Sequence, residues 1–441
     1  MRGFTTRRLQ HSLPAAIAGG LLAVGIATTA RANVITDWDE KAIVAVTPMS
    51  SLGNTSPYMA QRMMAMVHAA MFDAVNSVER RYRPYLVQLP ADPTTSKEAA
   101  AAAAAATVLA TIDEKTADEM KTALASYLAP LPEGRAKSDG VVLGKAVAAK
   151  LLEARADDGS SAPDAYRPRT TPGVYIPTTI TISSMWPQMK PFVIATPSQF
   201  RPAPPVSLQS QEWVTDYIEL KDYGGQVSAK RTESQTETAR FWLVGPPVAY
   251  DPFVRRLVAA KQMNVVDSAR LMALVSMGIT DAIIAVLDAK YYYNFWRPIT
   301  AIRNGDIGGN PATEREPTWQ PLATTPMHPE YPCSHCIQSG ALAAVIKAVF
   351  GTVDIPEIAI TSPTAPGVTH RWSNMTAFTD EVASARIWAG FHYRFSTRVG
   401  TGMGLELGDY VVKKRDAARG DEFAINGRPR CGRLEKASMR T

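Results

Sequence analysis

The chain has 441 residues, with 47 Lys and Arg against 41 Asp and Glu, a formal net charge of +6 and 46% hydrophobic residues. That length can bury a sizeable core, as one large helical domain or two to three smaller ones, and the composition is that of an ordinary globular protein. Four of the six net charges, Arg2, Arg7, Arg8 and Arg31, fall in the first 32 residues, which carry no acid, so about two remain beyond them and no nucleic-acid footprint survives.

Residues 1–32 read as an export signal: arginines first, then an apolar run around Ala15 to Ala27, then Ala30-Arg31-Ala32 as a small-x-small cleavage site. An exported protein, periplasmic or secreted, is expected, with Asn33 as its first mature residue. The adjacent Arg7-Arg8 fits either the general or the twin-arginine route. Past Asn33 the longest apolar run, Leu271 to Leu287, is broken by Asp281 and falls short of a comfortable bilayer crossing, so no integral membrane span is expected in the mature chain. Cys333, Cys336 and Cys431 are too few for a disulfide scaffold.

Met59, Met63, Met66, Val67, Ala70, Met71 and Val75 recur at helical spacing and predict a buried helix. Its His68, Asp73 and Asn76 read as a buried polar network without a catalytic role. An alanine-rich helix follows the cap Ser96, and Ala117 to Ala129 and Gly140 to Arg155 continue the pattern. Between Pro163 and Pro205 ten prolines exclude both helix and central strand. This loop carries Tyr166, Tyr175, Trp186, Phe192 and Phe200 and is expected to wrap over the surface, with cover for a site as one use. Helical spacing resumes from Val254 to Leu287, from Ile337 to Val349 and from Phe378 to Phe391. No alternating strand pattern is sustained. The expected fold class is therefore all-α, built of helical bundles. Its parts are an N-terminal helical region over 33–235 with the proline-rich loop 163–205, a catalytic bundle over 236–412, and a basic tail over 413–441 with Lys413-Lys414-Arg415 in solvent.

Three short stretches carry chemistry. Lys290 and Arg297 are seven apart, so a helix running through Tyr291 to Asn294 would set both cationic ends on one face, with Pro298 marking an end or a kink. Pro332-Cys333-Ser334-His335 precedes an apolar helix, so its amides and the helix dipole can face an anion, with Ser334 as cap and His335 as a proton carrier. Arg386 and His392 are six apart and would sit about 120° out of line on an unbroken helix, an angle that Gly390 can relax. His392 is the candidate for covalent contact with a central atom, as metal ligand or nucleophile. His328 reads as structural or as a support behind the ligands rather than a ligand itself, and Tyr291 to Trp296 as core packing. Cys333-x-x-Cys336 also has thiol–disulfide oxidoreductase spacing but lacks the strand–helix–strand context; a disulfide between the two after export is the other outcome.

Taken together, Lys290-x6-Arg297-Pro298, Pro332-x-x-His335 and Arg386-x5-His392 resemble the vanadium-dependent haloperoxidases and the related type 2 phosphatidic acid phosphatases. The flanking segments 288–298, 328–332 and 390–396 are similar to the bacterial and plant-type haloperoxidase-like branch. The resemblance implies paired helical bundles and vanadate as cofactor, or phosphate in its place, or an unfilled site. It implies His392 as the metal ligand, Lys290, Arg297, Cys333, Ser334, Arg386 and His392 as the oxyanion-binding set, and His335 and His392 as the catalytic pair. The implied substrates are hydrogen peroxide, halide and an organic acceptor. The same residues also fit a phosphatase in which His392 attacks phosphorus, or a non-catalytic oxyanion-binding relative; a homo-oligomer is left open. Two features, at three positions, depart from the family. Its Pro-Ser-Gly-His turn is Pro332-Cys333-Ser334-His335 here, exchanging a hydroxyl donor for a weaker thiol at a cost of about 1.5–3 kcal/mol. Ser396 stands where an Asp commonly orients the metal-binding His, a contact worth roughly 10 to 100-fold in metal affinity. Vanadate is therefore expected to be held less firmly.

Overall fold

Side-chain caps set most of the helix starts. Asn33, Ser96, Asp113, Ser210, Thr232, Asn264 and Asn374 each accept a hydrogen bond from a backbone amide two or three positions ahead. The computed structural model describes residues 33–50 and 57–416. In order these form α1 (Val34–Val46), α2 (Pro57–Glu79), α3 (Lys97–Leu109), α4 (Glu114–Leu128), α5 (Arg135–Arg155), α6 (Gln211–Gly224), α7 (Glu233–Phe241), α8 (Pro246–Ala260), α9 (Val265–Tyr293), α10 (Pro298–Arg303) and α11 (Ser334–Phe350). A hairpin of β1 (Asp354–Ser362) and β2 (Ala365–Asn374) precedes α12 (Met375–Trp388) and α13 (Arg394–Asp416). The expected signal over 1–32, Cys431 and the tail beyond Asp416 lie outside the described residues.

The centre of the fold is α9. Every residue from Leu271 to Lys290 is buried, and α2, α11 and α13 pack directly on it. By length and composition α9 could cross a membrane, yet its apolar stretch is wholly covered by the surrounding protein, as a helix that is apolar all round requires. The α11–α13 contact is close enough to demand glycine: a Cβ on Gly404 would stand 2.1 Å from the Ile337 carbonyl oxygen.

The proline-rich segment wraps as expected, with only short 3₁₀ turns at Trp186–Gln188 and Pro197–Phe200. Asp281, the acid that interrupts α9, anchors it: its carboxylate accepts the amides of Phe192, Val193 and Ile194 at 2.6, 2.7 and 2.9 Å. The polar residues of α2 form the expected buried network, in which Asp73 accepts the amides of Tyr85, Leu86 and Val87 and His68 meets Asp39.

Three expectations are corrected. The helical stretch from Val254 to Leu287 is two helices, parted at Gln262 in the left-handed region at φ 48°. The antiparallel β1–β2 hairpin escapes an alternation test because a register shift between Asp354 and Ile358, around Pro356, breaks the period of Ile355, Ile358 and Ile360. Lys413-Lys414-Arg415 is the last turn of α13, and Arg415 leaves solvent to lie over the Tyr85 ring and bond the Pro84 carbonyl.

Candidate active site

Lys290 is the last buried residue of α9, and the helix does not run on to Arg297 as expected. Asn294 turns left-handed at φ 51° and ends it. Pro298 keeps the residue before it out of helical geometry, so Arg297 is extended (φ −77°, ψ 154°) and becomes the N-cap of α10. The two cations still converge. Lys290 Nζ donates to the carbonyls of Pro329 and Glu330 at 3.0 and 2.6 Å. Arg297 donates through Nε to the His328 carbonyl at 2.8 Å and through Nη1 to the Phe391 carbonyl at 3.1 Å. Its Nη1 also lies 3.4 Å from His392 Nε2, and its Nη2 3.0 Å from His328 Nδ1.

Helical angles do not govern the Arg386–His392 pair either, because α12 stops at Trp388. Gly390, at φ 80°, turns the chain sharply beneath the end of α6, where a Cβ would come within 2.4 Å of the Gly224 carbonyl oxygen. His392 is thereby delivered onto Glu330. Its Nδ1 lies 2.7 Å from Glu330 Oε1, which also accepts the Tyr393 amide at 3.2 Å. A carboxylate at Nδ1 fixes the proton there and leaves the Nε2 lone pair facing Arg297. Arg386 donates to the Trp242 carbonyl at 2.7 Å, stacks over Phe391, and keeps a buried Nε with no partner among the described residues.

The cap of α11 is Cys333, not Ser334. Cys333 Sγ accepts the Cys336 amide at 3.3 Å and is joined to Cys336 in a disulfide. Cys333 therefore has no thiol proton to give an oxyanion, and with both cysteines fully buried the pair offers no access to an oxidoreductase substrate. The Ser334 hydroxyl lies 3.2 Å from the Tyr58 hydroxyl and accepts from Gln338 Nε2 at 3.0 Å. His335, on the first turn of α11, has Nε2 3.1 Å from the Val244 carbonyl oxygen, while its own carbonyl accepts from Tyr250 at 3.1 Å.

These residues floor a cavity of about 780 Å³. Tyr58, His328, Ser334, His335, Arg386 and His392 line its polar end, and Leu243, Val244, Pro246, Val248 and Met327 are among its apolar walls. Lys290 and Arg297 lie behind that floor, fully buried. Burial first, then mutual repulsion with Arg297 and Arg386, holds the Lys290 ammonium well below its ordinary pKa, against the pull of Glu330. Burial and the same cations push His392, His335 and His328 well below the usual imidazole range. Burial lifts Glu330 to about 7, against Lys290, Arg297, the Ser396 hydroxyl and the Tyr393 amide.

The residues fit a tetrahedral oxyanion. Lys290, Arg297 and Arg386 make no salt bridge among the described residues, Lys290 has a third N–H beyond its two carbonyls, and Arg386 has its orphaned Nε. Three buried cations against one carboxylate call for an anion. The carboxylate that Ser396 does not provide behind His392 is supplied by Glu330, with Ser396 beside it. Sequence reasoning missed Glu330, which lies 62 residues before its partner, and Tyr58. His328, read as structural or as a support behind the ligands, is a cavity wall residue between Tyr58 and Arg297.

Residues 270–420 match the family described as the VCPO second helical-bundle domain. The vanadium chloroperoxidase of Curvularia inaequalis is 30% identical over 149 residues, a match covering 28% of this chain and 24% of that protein, so the chain spans about a quarter of the curated relative's length. A crystal structure of a bacterial vanadium-dependent iodoperoxidase superposes with a TM-score of 0.73 at 23% identity, covering 87% of this chain and 98% of that one. The holo form of a bacterial vanadium-dependent chloroperoxidase gives 0.66 at 18% identity, covering 84% and 94%.

Proposed function

We propose that the chain, whose residues 270–420 match the VCPO second helical-bundle domain and whose fold is that of a bacterial vanadium-dependent iodoperoxidase, belongs to the vanadium haloperoxidase family and is a vanadate-dependent peroxidase that oxidises a halide with hydrogen peroxide in this cavity. One observation carries the reading: a histidine whose Nδ1 is tied to a buried carboxylate turns its Nε2 toward a cluster of three buried cations. Lys290, Arg297 and Arg386 would bind and neutralise the oxyanion through donors already aimed and desolvated. His392 Nε2 would be the ligating atom. The chemistry that vanadate supplies when bound is Lewis-acid activation of hydrogen peroxide toward halide, without a change of oxidation state.

The proton work falls to His335. With its Nε2 proton given to the Val244 carbonyl, the basic atom is Nδ1, and burial beside Arg386 keeps that ring neutral and ready to accept a proton from peroxide and return it. The apolar walls limit water at the polar end of the cavity.

The neutral, oriented His392 Nε2 would serve equally as a nucleophile toward phosphorus, which keeps a phosphatase as the second reading. The test assays stripped protein for phosphate-ester hydrolysis, then adds orthovanadate and assays peroxide-dependent oxidation of iodide and bromide. Halide oxidation that requires vanadate and disappears in His392→Ala supports the proposal. Hydrolysis inhibited by vanadate supports the phosphatase, and silence in both assays rejects both.

A further inference from the structure

One turn along α8 from its cavity-lining residues, α1, α2 and α8 bring together three fully buried ionisable side chains, Asp39, His68 and Asp251. One donor atom from each lies within 4.8 Å of the other two. Two of them have recognisable partners: His68 Nε2 is 2.9 Å from Asp39 Oδ1, and Arg255 Nη1 is 2.6 Å from Asp39 Oδ2. Asp251 has none. Both of its carboxylate oxygens, and Nδ1 of His68, are buried without a hydrogen-bond partner among the described residues.

A carboxylate stripped of water and given no donor is among the least tolerable groups in a core, and only a positive charge or a proton removes the penalty. Arg255 is partly exposed and committed to the outer oxygen of Asp39. Burial and the nearby Asp39 both act to keep Asp251 from ionising alone. A metal ion would satisfy the unpartnered Asp251 carboxylate and take His68 through Nε2, the ring nitrogen that already faces Asp39. Donors bonded at roughly 2.0–2.2 Å to one ion lie up to about 4.4 Å apart, so the trio closes on an ion with sub-ångström movement.

We propose that Asp39, His68 and Asp251 form a structural site for a divalent first-row transition metal that staples α1, α2 and α8 together. Two carboxylates with an imidazole suit Zn²⁺ or Mn²⁺, whereas Ca²⁺ and Mg²⁺ favour oxygen-only sets and Cu⁺ favours thiolate or thioether. The staple bears on the oxyanion site through α8. Tyr250, next to Asp251, holds the His335 carbonyl, and Pro246 and Pro247 of the same helix line the cavity.

The test uses the whole chain, purified without chelator, and counts metal per chain by mass spectrometry. The same protein is then stripped with EDTA and titrated with ZnCl₂ or MnCl₂ in buffer free of vanadate and phosphate, with thermal unfolding followed. The proposal expects about one equivalent of metal, a melting temperature that drops by several degrees on stripping, and its recovery on adding metal. Asp251→Asn should lose the metal and the metal-dependent rise. Absence of metal together with an unchanged melting temperature overturns the proposal, and so does retention of the metal by Asp251→Asn, which would place it elsewhere. A metal-free Asp251→Asn as stable as the wild type would also overturn it, assigning a proton to Asp251 instead. The stripped and reloaded comparison needs no substitution, so it decides even if the variant does not fold.

Discussion

Replacing Glu330 by Gln separates two things the site does for an anion, attracting it and bonding it. Glu330 is fully buried and its Oε1 lies 2.7 Å from His392 Nδ1. Gln keeps the shape and one acceptor but removes the charge, with two opposed consequences. Losing a negative charge beside Lys290, Arg297 and Arg386 strengthens the attraction for any oxyanion, by about 3 kcal/mol for a separation of about 6 Å at an effective dielectric near 20. Losing the charged acceptor behind the imidazole weakens only a bond made through Nε2, by roughly 10 to 100-fold, or about 1.4–2.7 kcal/mol. Vanadate and phosphate would share the first effect, and on the proposed reading only vanadate is bonded by Nε2 on binding. Absolute affinities can therefore move either way, but the ratio of the two dissociation constants must shift against vanadate by roughly 10 to 100-fold. Titration calorimetry of both proteins with orthovanadate and with phosphate measures that ratio, with circular dichroism as the check on folding. An unchanged ratio would refute the assignment of Glu330 as the residue that orients His392.

Gly390→Ala should destabilise the fold and weaken oxyanion binding together, because its Cβ meets the Gly224 carbonyl oxygen at 2.4 Å and its φ of 80° is unfavourable for alanine; left-handed strain and overpacking together cost about 2–5 kcal/mol. Denaturant unfolding and phosphate titration read the two effects, and a variant with wild-type stability would remove this turn from the account of how His392 is placed. Asp281 supplies a pH test. Burial raises it from 3.8 to about 6 despite its three amide donors, so between those values the folded chain binds more protons than the unfolded one and this group's contribution to stability falls as pH rises. The stability deficit of Asp281→Asn relative to wild type should therefore shrink between about pH 4 and pH 7, by on the order of 3 kcal/mol; a deficit that grew with pH would mean that the amides outweigh burial.

What the amino-acid order disclosed, and what it hid, divides by distance along the chain. Lys290, Arg297, His335, Arg386 and His392 are legible because each sits in a short motif with its own turn chemistry, Asn294 and Pro298 for the first pair and Gly390 for the last. The route to convergence was not legible, since periodicity carries a helix past Asn294 and past Trp388 where left-handed residues in fact end it. Glu330 had no local signal: a lone acid between two prolines acquires meaning only when Gly390 brings His392 against it. Cys333 misled for a related reason. Its spacing to Cys336 allows both a donor thiol and a disulfide, and only the folded start of α11, which sets the two Cα atoms 5.3 Å apart, decides.

The site's potential follows from which acceptors hold its cations. Lys290 is placed by the carbonyls of Pro329 and Glu330, Arg297 by those of His328 and Phe391, and Arg386 by that of Trp242. A carbonyl fixes direction without cancelling charge, whereas a carboxylate in the same place would do both and leave little attraction for an incoming anion. The one carboxylate present is turned to His392, where it sets the ring's proton at Nδ1. The burial that this arrangement requires is borne by the rigid helices around it, with α9 carrying Lys290 on a fully buried face and α12 carrying Arg386 beside the turn at Gly390. Burial first, and the same uncancelled charge with it, hold His335 and His392 neutral, so cations and imidazoles are not separate features of the pocket: the first help to set the protonation state that the proposed chemistry asks of the second.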